Sequence, residues 1–350
     1  MKRTLSISLA EDERDRELAE WASHEAAECG SEINRTLAFA RSLGRVPHLL
    51  EGATASLWSV LATVGAVDLT VARAVEPHLD ALSILKEAGV SAEDDLDVAD
   101  EATWGVFAAE SSTSGVSASF SDGEWRLVGT KAWCSLAGSL SHALVTAQTS
   151  SSTRRLFAVS LTQDSVVVRD GEWHARGLTA ITSGSVDFNG AFARPIGADG
   201  WYLERPGFAW GGIGVAACWW GGAVGIARRA ISASREREPD QIGLMQIGAL
   251  DLAIQSSRLA LAAAADAVDG DDLDRDAARI VGYRTRARVA RDVDDVIERV
   301  GHALGPAPLA LEEEHARRVA DLQLYVRQHH AERDYASLGR KLLADGHFAW

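Results

Sequence analysis

Asp122-Gly123-Glu124 followed by Trp125-Arg-Leu-Val-Gly-Thr-Lys-Ala-Trp-Cys-Ser135 is the stretch that decides how this chain is read. Asp-Gly ahead of a run rich in β-branched and aromatic residues is a two-residue hairpin signal, because both central positions of such a turn need φ > 0. Working outward, further short runs of the same character are Ala143–Ala147, Leu156–Leu161, Ser165–Val168 and Ser185–Phe188, separated by Gly, Ser and Asp clusters. That spacing predicts a small antiparallel barrel or sandwich between Trp104 and about Pro195, not a parallel sheet.

On either side the period changes to that of helices. From about Glu11 to Gly89, apolar residues recur at helical spacing: Leu61, Val64, Leu69 and Val71–Ala72, then Val75, Leu79, Leu82 and Leu85. Gly89 reads as the end of that run and Pro77 as a kink or division within it. The acidic stretch Glu93 to Glu101 reads as a solvated connector. After Gly207 the chain is helical again. Ile242–Ala265 is one helix, Asp274–Val300 a second, closed by Gly301 and Gly305–Pro306, and Glu312–Leu343 a third. No repeat or low-complexity tract interrupts this order of helices, strands, helices.

Composition narrows the function. A net charge of −15 argues against a nucleic-acid surface, which needs clustered Lys and Arg facing phosphate. Cys29, Cys134 and Cys218 are far apart and odd in number, so neither a disulfide framework nor a zinc site is expected. Met1 to Glu11 lacks a signal-peptide pattern, which points to a cytoplasmic protein. Phe208 to Ala227 carries no charge and approaches the roughly 20 residues that cross a bilayer. Six of its residues are glycine and none is Leu, which suits a segment buried among helices instead. GxGxxG and Walker loops are absent, which disfavours a Rossmann or P-loop nucleotide site.

Several segments, in order, resemble the acyl-CoA dehydrogenases. Phe107-Ala-Ala-Glu-Ser-Ser-Thr-Ser-Gly115 resembles the family's TEPxAGSD segment, and Trp125–Ser135 its xxxNGxKxWITN hairpin. Gly177–Asn189 is similar to the GxRxSxxxxxxFxxV strand pair, and Gly222-Ala-Val-Gly-Ile-Ala-Arg-Arg-Ala-Ile231 to the small-residue helix that opens the family's last domain. His78 and Ala81 suit the family's first domain. The resemblance implies an α+β multidomain chain: an N-terminal helical domain (1–103), a central antiparallel β-barrel or sandwich (104–204) and a C-terminal four-helix bundle (205–350). It also implies FAD between barrel and bundle, and homodimers or homotetramers in which a neighbour helps grip the cofactor.

An isoalloxazine ring wants a flat apolar wall and a few donors at one edge. Trp133 can form the wall, although as one of eleven tryptophans it can equally pack the barrel. By the resemblance, Ser135 takes the place of a threonine whose hydroxyl and backbone N–H address the ring, with Cys134 between them. Ala109, Glu110 and Gly115 fall where the first motif touches the flavin. Ala109 replaces its threonine and Gly115 its serine, so two hydroxyl contacts are lost. The RxxFG turn that holds the diphosphate of a neighbour's FAD is shortened to Arg235-Glu-Arg-Glu-Pro-Asp240, leaving Arg237, with Gln246 matching the glutamine that follows. Glu298 and Gly301 fall in the QIxGGxG region, where a carboxylate near a diphosphate is unfavourable.

The family's proton-abstracting glutamate lies in a YEGT sequence, eight residues after the aspartate of an RDA motif. Here the segment reads Arg317-Arg-Val-Ala-Asp-Leu-Gln-Leu-Tyr-Val-Arg-Gln-His-His-Ala-Glu-Arg-Asp334. If Asp321 matches that aspartate, the base position is His329. On a continuous helix Asp321, Tyr325 and His329 share a face, whereas His330 faces Asp334. His329 is therefore the candidate catalytic residue and His330 its alternative. The other carboxylate site known in the family falls near Val215 and Ala216, and Ala216 stands where the family has an arginine. Imidazole titrates near neutrality and serves as general acid or base.

Three functions are compatible with this. One is a dehydrogenase-type oxidoreductase acting on an acyl-CoA or acyl-like substrate. A second is a monooxygenase taking reduced flavin, FMN included, from a reductase partner. The third is a non-catalytic relative. Trp210, Trp219 and Trp220 point to a bulky small-molecule ligand or to packing. No metal and no membrane partner are expected.

Overall fold

The computed structural model describes residues 6–9, 13–30, 32–270 and 273–346; most of Met1 to Glu11 lies outside them. Four helices come first: α1 (Glu13–Cys29), α2 (Ile33–Gly44), α3 (Thr54–Val67) and α4 (Leu69–Glu87). The apolar run read as one helix divided at Pro77 is instead divided at Asp68. There the backbone is extended, and the carboxylate accepts hydrogen bonds from the Thr70 and Val71 N–H groups to cap α4. Helix α4 runs on through Pro77, because burial on both sides outweighs one missing backbone donor. Gly89, at φ +65°, ends the run as expected, with the Val90 N–H bonded to the Leu85 carbonyl.

Seven strands follow: β1 (Trp104–Phe107), β2 (Val116–Ser121), β3 (Glu124–Lys131), β4 (His142–Gln148), β5 (Arg154–Ser160), β6 (Val166–Val168) and β7 (Val186–Ile196). Asp122 and Gly123 both have positive φ and close the β2–β3 hairpin. The pairings β4–β2–β3–β7–β5–β4 return to their start, so the sheet closes on itself, with β1 alongside β4 and β6 alongside β7. It is not wholly antiparallel. β1 and β2 both run parallel to β4, an arrangement hidden in the sequence because β1 and β2 carry weak strand signals. Gly129, at φ +126°, has no room for a side chain: a Cβ there would lie 2.2 Å from the Gly115 carbonyl oxygen.

The last zone holds α5 (Trp201–Glu204), α6 (Gly207–Glu236), α7 (Gln241–Asp269), α8 (Arg275–Leu304), α9 (Ala307–Leu311), α10 (Glu313–Tyr325) and α11 (Glu332–Asp345). Helices α6, α7 and α8 pack together, with α10 and α11 in the fourth position. α8 passes through Gly301 and is closed by Gly305 alone, at φ +69°. Glu312–Leu343 is not one helix: α10 gives way to a 3₁₀ turn at Val326–Gln328, and Ala331 adopts φ +47° before α11 begins.

Helix α6 is long and apolar enough to span a bilayer by composition, yet 61% of its apolar window is buried inside the protein. Its partners are α3, α4, α7, α8 and α10. Small residues allow that closeness. A Cβ at Gly221 would meet the Ala62 carbonyl oxygen at 2.0 Å, and one at Gly65 the Cys218 oxygen at 2.6 Å. One apolar cluster runs from α1–α4 through the barrel to α6–α8. A second joins the end of α4 to β1, β4, β5, β7 and α5. All three cysteines are buried and unbridged.

Candidate active site

The chain leaves β3 at Lys131 and makes a tight turn. Trp133 and Leu136 both have left-handed φ values, +62° and +57°, a conformation that large side chains adopt only when the surroundings impose it. What imposes it is the strand-leading segment 177–184. Cys134 N–H donates to the Gly184 carbonyl, Leu136 N–H to the Thr182 carbonyl, and Ser135 shares a 2.8 Å hydrogen bond with Ser183. The result leaves the Trp133 indole 61% exposed, in a protein that buries Trp58, Trp104, Trp219 and Trp220 almost completely. Cys134 turns inward, and burial pushes its thiol up to about 12.

Segment 177–184 is itself held by the C-terminal helices. The Leu178 N–H donates to Asp321 Oδ1 at 2.5 Å, and a Cβ at Gly177 would collide with the Ala320 carbonyl at 2.1 Å. Arg317 Nη1 contacts Asp68 at 2.8 Å, tying α10 to the cap of α4. Asp321 therefore serves as an anchor for the turn, while its second oxygen is buried with no hydrogen-bond partner and burial raises its carboxyl.

Ala109, Glu110, Gly115 and Ala132 line one small pocket beside this turn, so the first motif and the hairpin do meet. Glu110 is ion-paired with Arg154 (3.1 Å) and Lys131 (3.7 Å). The Lys131 ammonium also donates to Thr146 Oγ1 at 2.9 Å, and desolvation lowers its pKa. Gly115 gives its carbonyl to Thr130 N–H.

On the other side of Ser135 stands a cation that the sequence did not mark. Arg73 of α4 donates from Nη2 to Ser135 Oγ at 2.9 Å. Its guanidinium lies 5.7 Å from the Tyr325 ring centroid and 3.8 Å, at Nη1, from Glu76 Oε2. Beneath it, the Tyr325 hydroxyl is buried against the Cys218 thiol, and the Trp219 indole N–H is buried without a hydrogen-bond partner among the described residues. The two rings meet edge to face at 6.3 Å, and Arg286 covers Trp219 at 4.9 Å.

Two cavities open below, of about 400 and 580 Å³. Glu76, Asp80, Arg205 and Gly211 belong to the walls of both. The first is otherwise largely apolar, with Leu49, Leu57, Trp58, Leu61, Leu79 and Trp210. The second has an apolar part, with Leu203, Phe208 and Val215, and carries charged and polar groups as well, Arg279, Tyr283, Arg286, His330 and Asp334. Arg205 pairs with Glu87 at 2.5 Å and Asp80 at 3.7 Å. Glycine at 211 is what lets α6 come so near, since a Cβ would sit 2.8 Å from Asp80 Oδ1. Burial raises Glu76 to about 7 and raises Asp80 as well.

The two histidines lie past the end of α10, so the shared helical face expected of Asp321, Tyr325 and His329 does not exist. His329 has an extended backbone (ψ 123°). Its side chain is nonetheless 7% exposed, edge-on to Tyr335 at 5.8 Å, with Nε2 3.6 Å from Asp334 Oδ2 and no hydrogen-bond partner. Burial lowers its pKa, so it is neutral near pH 7. His330 is 67% exposed at the side chain, with Nδ1 3.5 Å from Asp334 Oδ1, and borders the second cavity.

Arg237 stands just past the end of α6, exposed. Gln246 is buried on α7 with Arg299 Nη1 at 3.4 Å, and Gly301 lies two residues further along α8. Among the described residues, no hydrogen bond or ion pair joins these three to Trp133 or Ser135.

The whole architecture can now be placed among known structures. Dibenzothiophene monooxygenase from Paenibacillus sp. A11-2 superposes with TM-score 0.77 at 17% identity, covering 95% of this chain and 97% of that one. Butyryl-CoA dehydrogenase from Megasphaera elsdenii gives TM-score 0.83 at 14% identity over 96% and 100%. This is the acyl-CoA dehydrogenase fold. XiaF from Streptomyces sp., solved with FADH2 and glycerol, shares it at TM-score 0.76 and 17% identity over 95% and 96%. No family model and no curated protein matches the sequence. The fold confirms the helical, barrel and helical-bundle architecture expected from the ordered motifs.

Whether a flavin suits this chain is answered by the turn itself. An aromatic wall left open, two hydroxyls at its edge and a cation bonded to one of them form the apolar face and polar edge a flat heteroaromatic ring requires. The residues fit. Those the sequence missed, Arg73, Glu76 and Asp80, had a signal: charges at i, i+3 and i+7 inside an apolar helical run.

Proposed function

We propose that this chain is a flavin-dependent oxidoreductase whose isoalloxazine ring rests on Trp133, with Ser135 at its edge. The single observation that carries the reading is the strained turn that exposes Trp133 while fixing Ser135 between Arg73 and Ser183. Bound flavin, FAD or FMN, would supply the electron or hydride transfer that no side chain here can perform. The chain's own residues supply the rest. Ser135 and Arg73 orient the ring edge, Trp133 excludes water from one face, and the cavities receive a small-molecule substrate. Arg237, Gln246 and Gly301, away from the turn within one chain, are assigned to the cofactor of a neighbouring subunit.

The dehydrogenase reading takes an acyl-CoA or acyl-like substrate and gives His329 the role of base. Its support is the buried, unpartnered Nε2, neutral near pH 7 and steadied by Asp334. A specific observation favours a second reading, oxygenation with reduced flavin from a partner reductase. No carboxylate stands at position 329, and the Paenibacillus enzyme, solved with FMN and indole, is a monooxygenase.

The purified protein's visible spectrum decides among these. A yellow protein that bleaches with acyl-CoAs in the absence of air supports dehydrogenation. Colour unaffected by acyl-CoAs, with bound reduced flavin reacting with air at a rate unlike that of free flavin, supports oxygenation. A colourless protein that ignores added FAD and FMN rejects both. Within the flavin-bound protein, His329→Ala should abolish turnover and leave the colour; unchanged turnover would move the base elsewhere.

A homo-oligomer is part of the same proposal. Helix α7 presents Ile242, Met245, Leu252 and Leu259 to solvent, each 48–71% exposed, spaced along one side of the helix. A second copy of the chain is the partner we assign to that stripe, next to Gln246.

A further inference from the structure

Among the carboxylates that line the two cavities, Glu76 makes the loosest pairing. Asp80 and Glu87 have Arg205, and Asp334 has both histidines. Glu76 has only Arg73, and at 3.8 Å the two are a loose pair, not a hydrogen bond. Its side chain is 9% exposed, and what it faces is the wall shared by the two cavities. Arg73 meanwhile directs its other nitrogen to Ser135.

We propose that Glu76 is the proton-exchanging carboxyl of this site and a positioning residue for Ser135, acting through Arg73. The idea rests on the flavin reading only for what Ser135 touches; the carboxyl and its link to Arg73 stand on the protein alone. With Glu76 neutral, the guanidinium is free to hold the Ser135 hydroxyl, as seen. Loss of the proton from Glu76 to a ligand or water in either cavity leaves a buried carboxylate 3.8 Å from a fixed cation. A charge-assisted hydrogen bond between them is then stronger than the bond to a neutral hydroxyl. Arg73 shifts toward Glu76, and Ser135, still donating to Ser183 because the Ser183 hydroxyl is given to the Ile181 carbonyl, loses the cation that fixes its oxygen and presents a free acceptor to the ring edge. No covalent bond changes; one proton moves from Glu76 to the cavity and one hydrogen bond changes partner.

The surroundings allow this titration. Arg73 and Asp80 on α4, Cys218 on α6, Arg286 on α8, Tyr202 on α5, Tyr325 at the end of α10 and Arg205 before α6 are the titratable and charged groups that face it or line the same wall. Desolvation, joined by Asp80, opposes the charged form, and the cations Arg73 and Arg286 favour it. The balance falls near neutrality, where a carboxyl best exchanges protons with a substrate.

Two measurements test it. In flavin-free protein, infrared spectra across pH should show a carboxylic C=O band that disappears with a midpoint near 7. The wild-type minus Glu76→Gln difference isolates this band from Asp80 and Asp321, and Glu76→Asp should keep a titration at a displaced midpoint. A band that titrates like a solvent-exposed glutamate, or that persists unchanged in Glu76→Gln, overturns the proposal. In protein loaded with FAD or FMN, the visible flavin band should shift with the same midpoint, and the shift should vanish in Glu76→Gln and in Arg73→Gln. A flavin band flat with pH, beside a titrating carboxyl, overturns the coupling through Arg73. If neither flavin binds, the functional reading fails, and the infrared result still decides the carboxyl.

Discussion

Glu76 and His78 are two residues apart on α4, and burial moves them in opposite directions. The His78 ring, 2% exposed, accepts a hydrogen bond at Nδ1 from the Trp104 N–H at 3.2 Å and is pushed down to about 4 by desolvation. Its folded pKa lies below the ordinary 6.5, so its contribution is complete above pH 6.5 and is lost as pH falls through 4. The loss amounts to about 3 kcal/mol at most. His78→Gln should therefore be worse than wild type at pH 7, with the difference shrinking in urea titrations as the pH approaches 4.5. Glu76 has the opposite sign. Raised from 4.5 to about 7, it gives full stability below pH 4.5 and removes it as pH rises through 7, again by about 3 kcal/mol at most. Glu76→Gln should thus gain on wild type between pH 5 and 8; a loss across that range would contradict a neutral buried carboxyl. Neither shift was readable beforehand. Spacing puts Arg73, Glu76 and Asp80 on one face, but not whether that face meets solvent, core or cavity.

At the level of elements, the hairpin and most helices were legible because their signals are local. Asp122-Gly123 closes a tight turn, and Asp274, where the sequence predicts a helix to begin, caps α8 by accepting from the Asp276 and Ala277 N–H groups. The break at 326–331 was not legible: Val-Arg-Gln-His-His-Ala contains no Gly or Pro, and Arg, Gln and Ala are good helix formers. The reversal at Ala331 coincides with His329 and His330 meeting Asp334, which is tertiary information. The inward placement of His329 was thus reached by an argument whose premise, an unbroken helix, does not hold. Helix α6 gives a clean pair of mutations. Gly221→Ala puts a methyl group 2.0 Å from a carbonyl of α3 and should cost at least 1–3 kcal/mol in chemical denaturation, or prevent folding. Gly248→Ala on α7 meets nothing within 4 Å and should stabilise by up to about 1 kcal/mol through helix propensity.

For the whole molecule, the order helices, barrel, helices followed from three zones of different period, whereas the barrel's closure through β2 and β4 did not, because parallel pairing leaves no local mark. The same scale decides assembly. Replacing Leu252 and Leu259 by Asp, on an exposed face that touches no core, should leave the melting temperature of one chain little changed. Light scattering should then report monomers where wild type gives dimers or larger species; a monomeric wild type would remove the second copy from the α7 stripe. The packing of α3 on α6 carries a consequence for biosynthesis. The partner of α3 is encoded beyond the entire barrel, so a ribosome must finish residues 104–206 before α6 begins to appear. Until then α3, buried along most of its length in the finished protein, has an uncovered apolar surface. Newly made chains are therefore most prone to aggregation, and most in need of a chaperone, while the barrel is being made. A fragment ending after β7 should sediment with aggregates, and supplying the remainder of the chain separately should rescue it only if added before α3 has found another apolar surface.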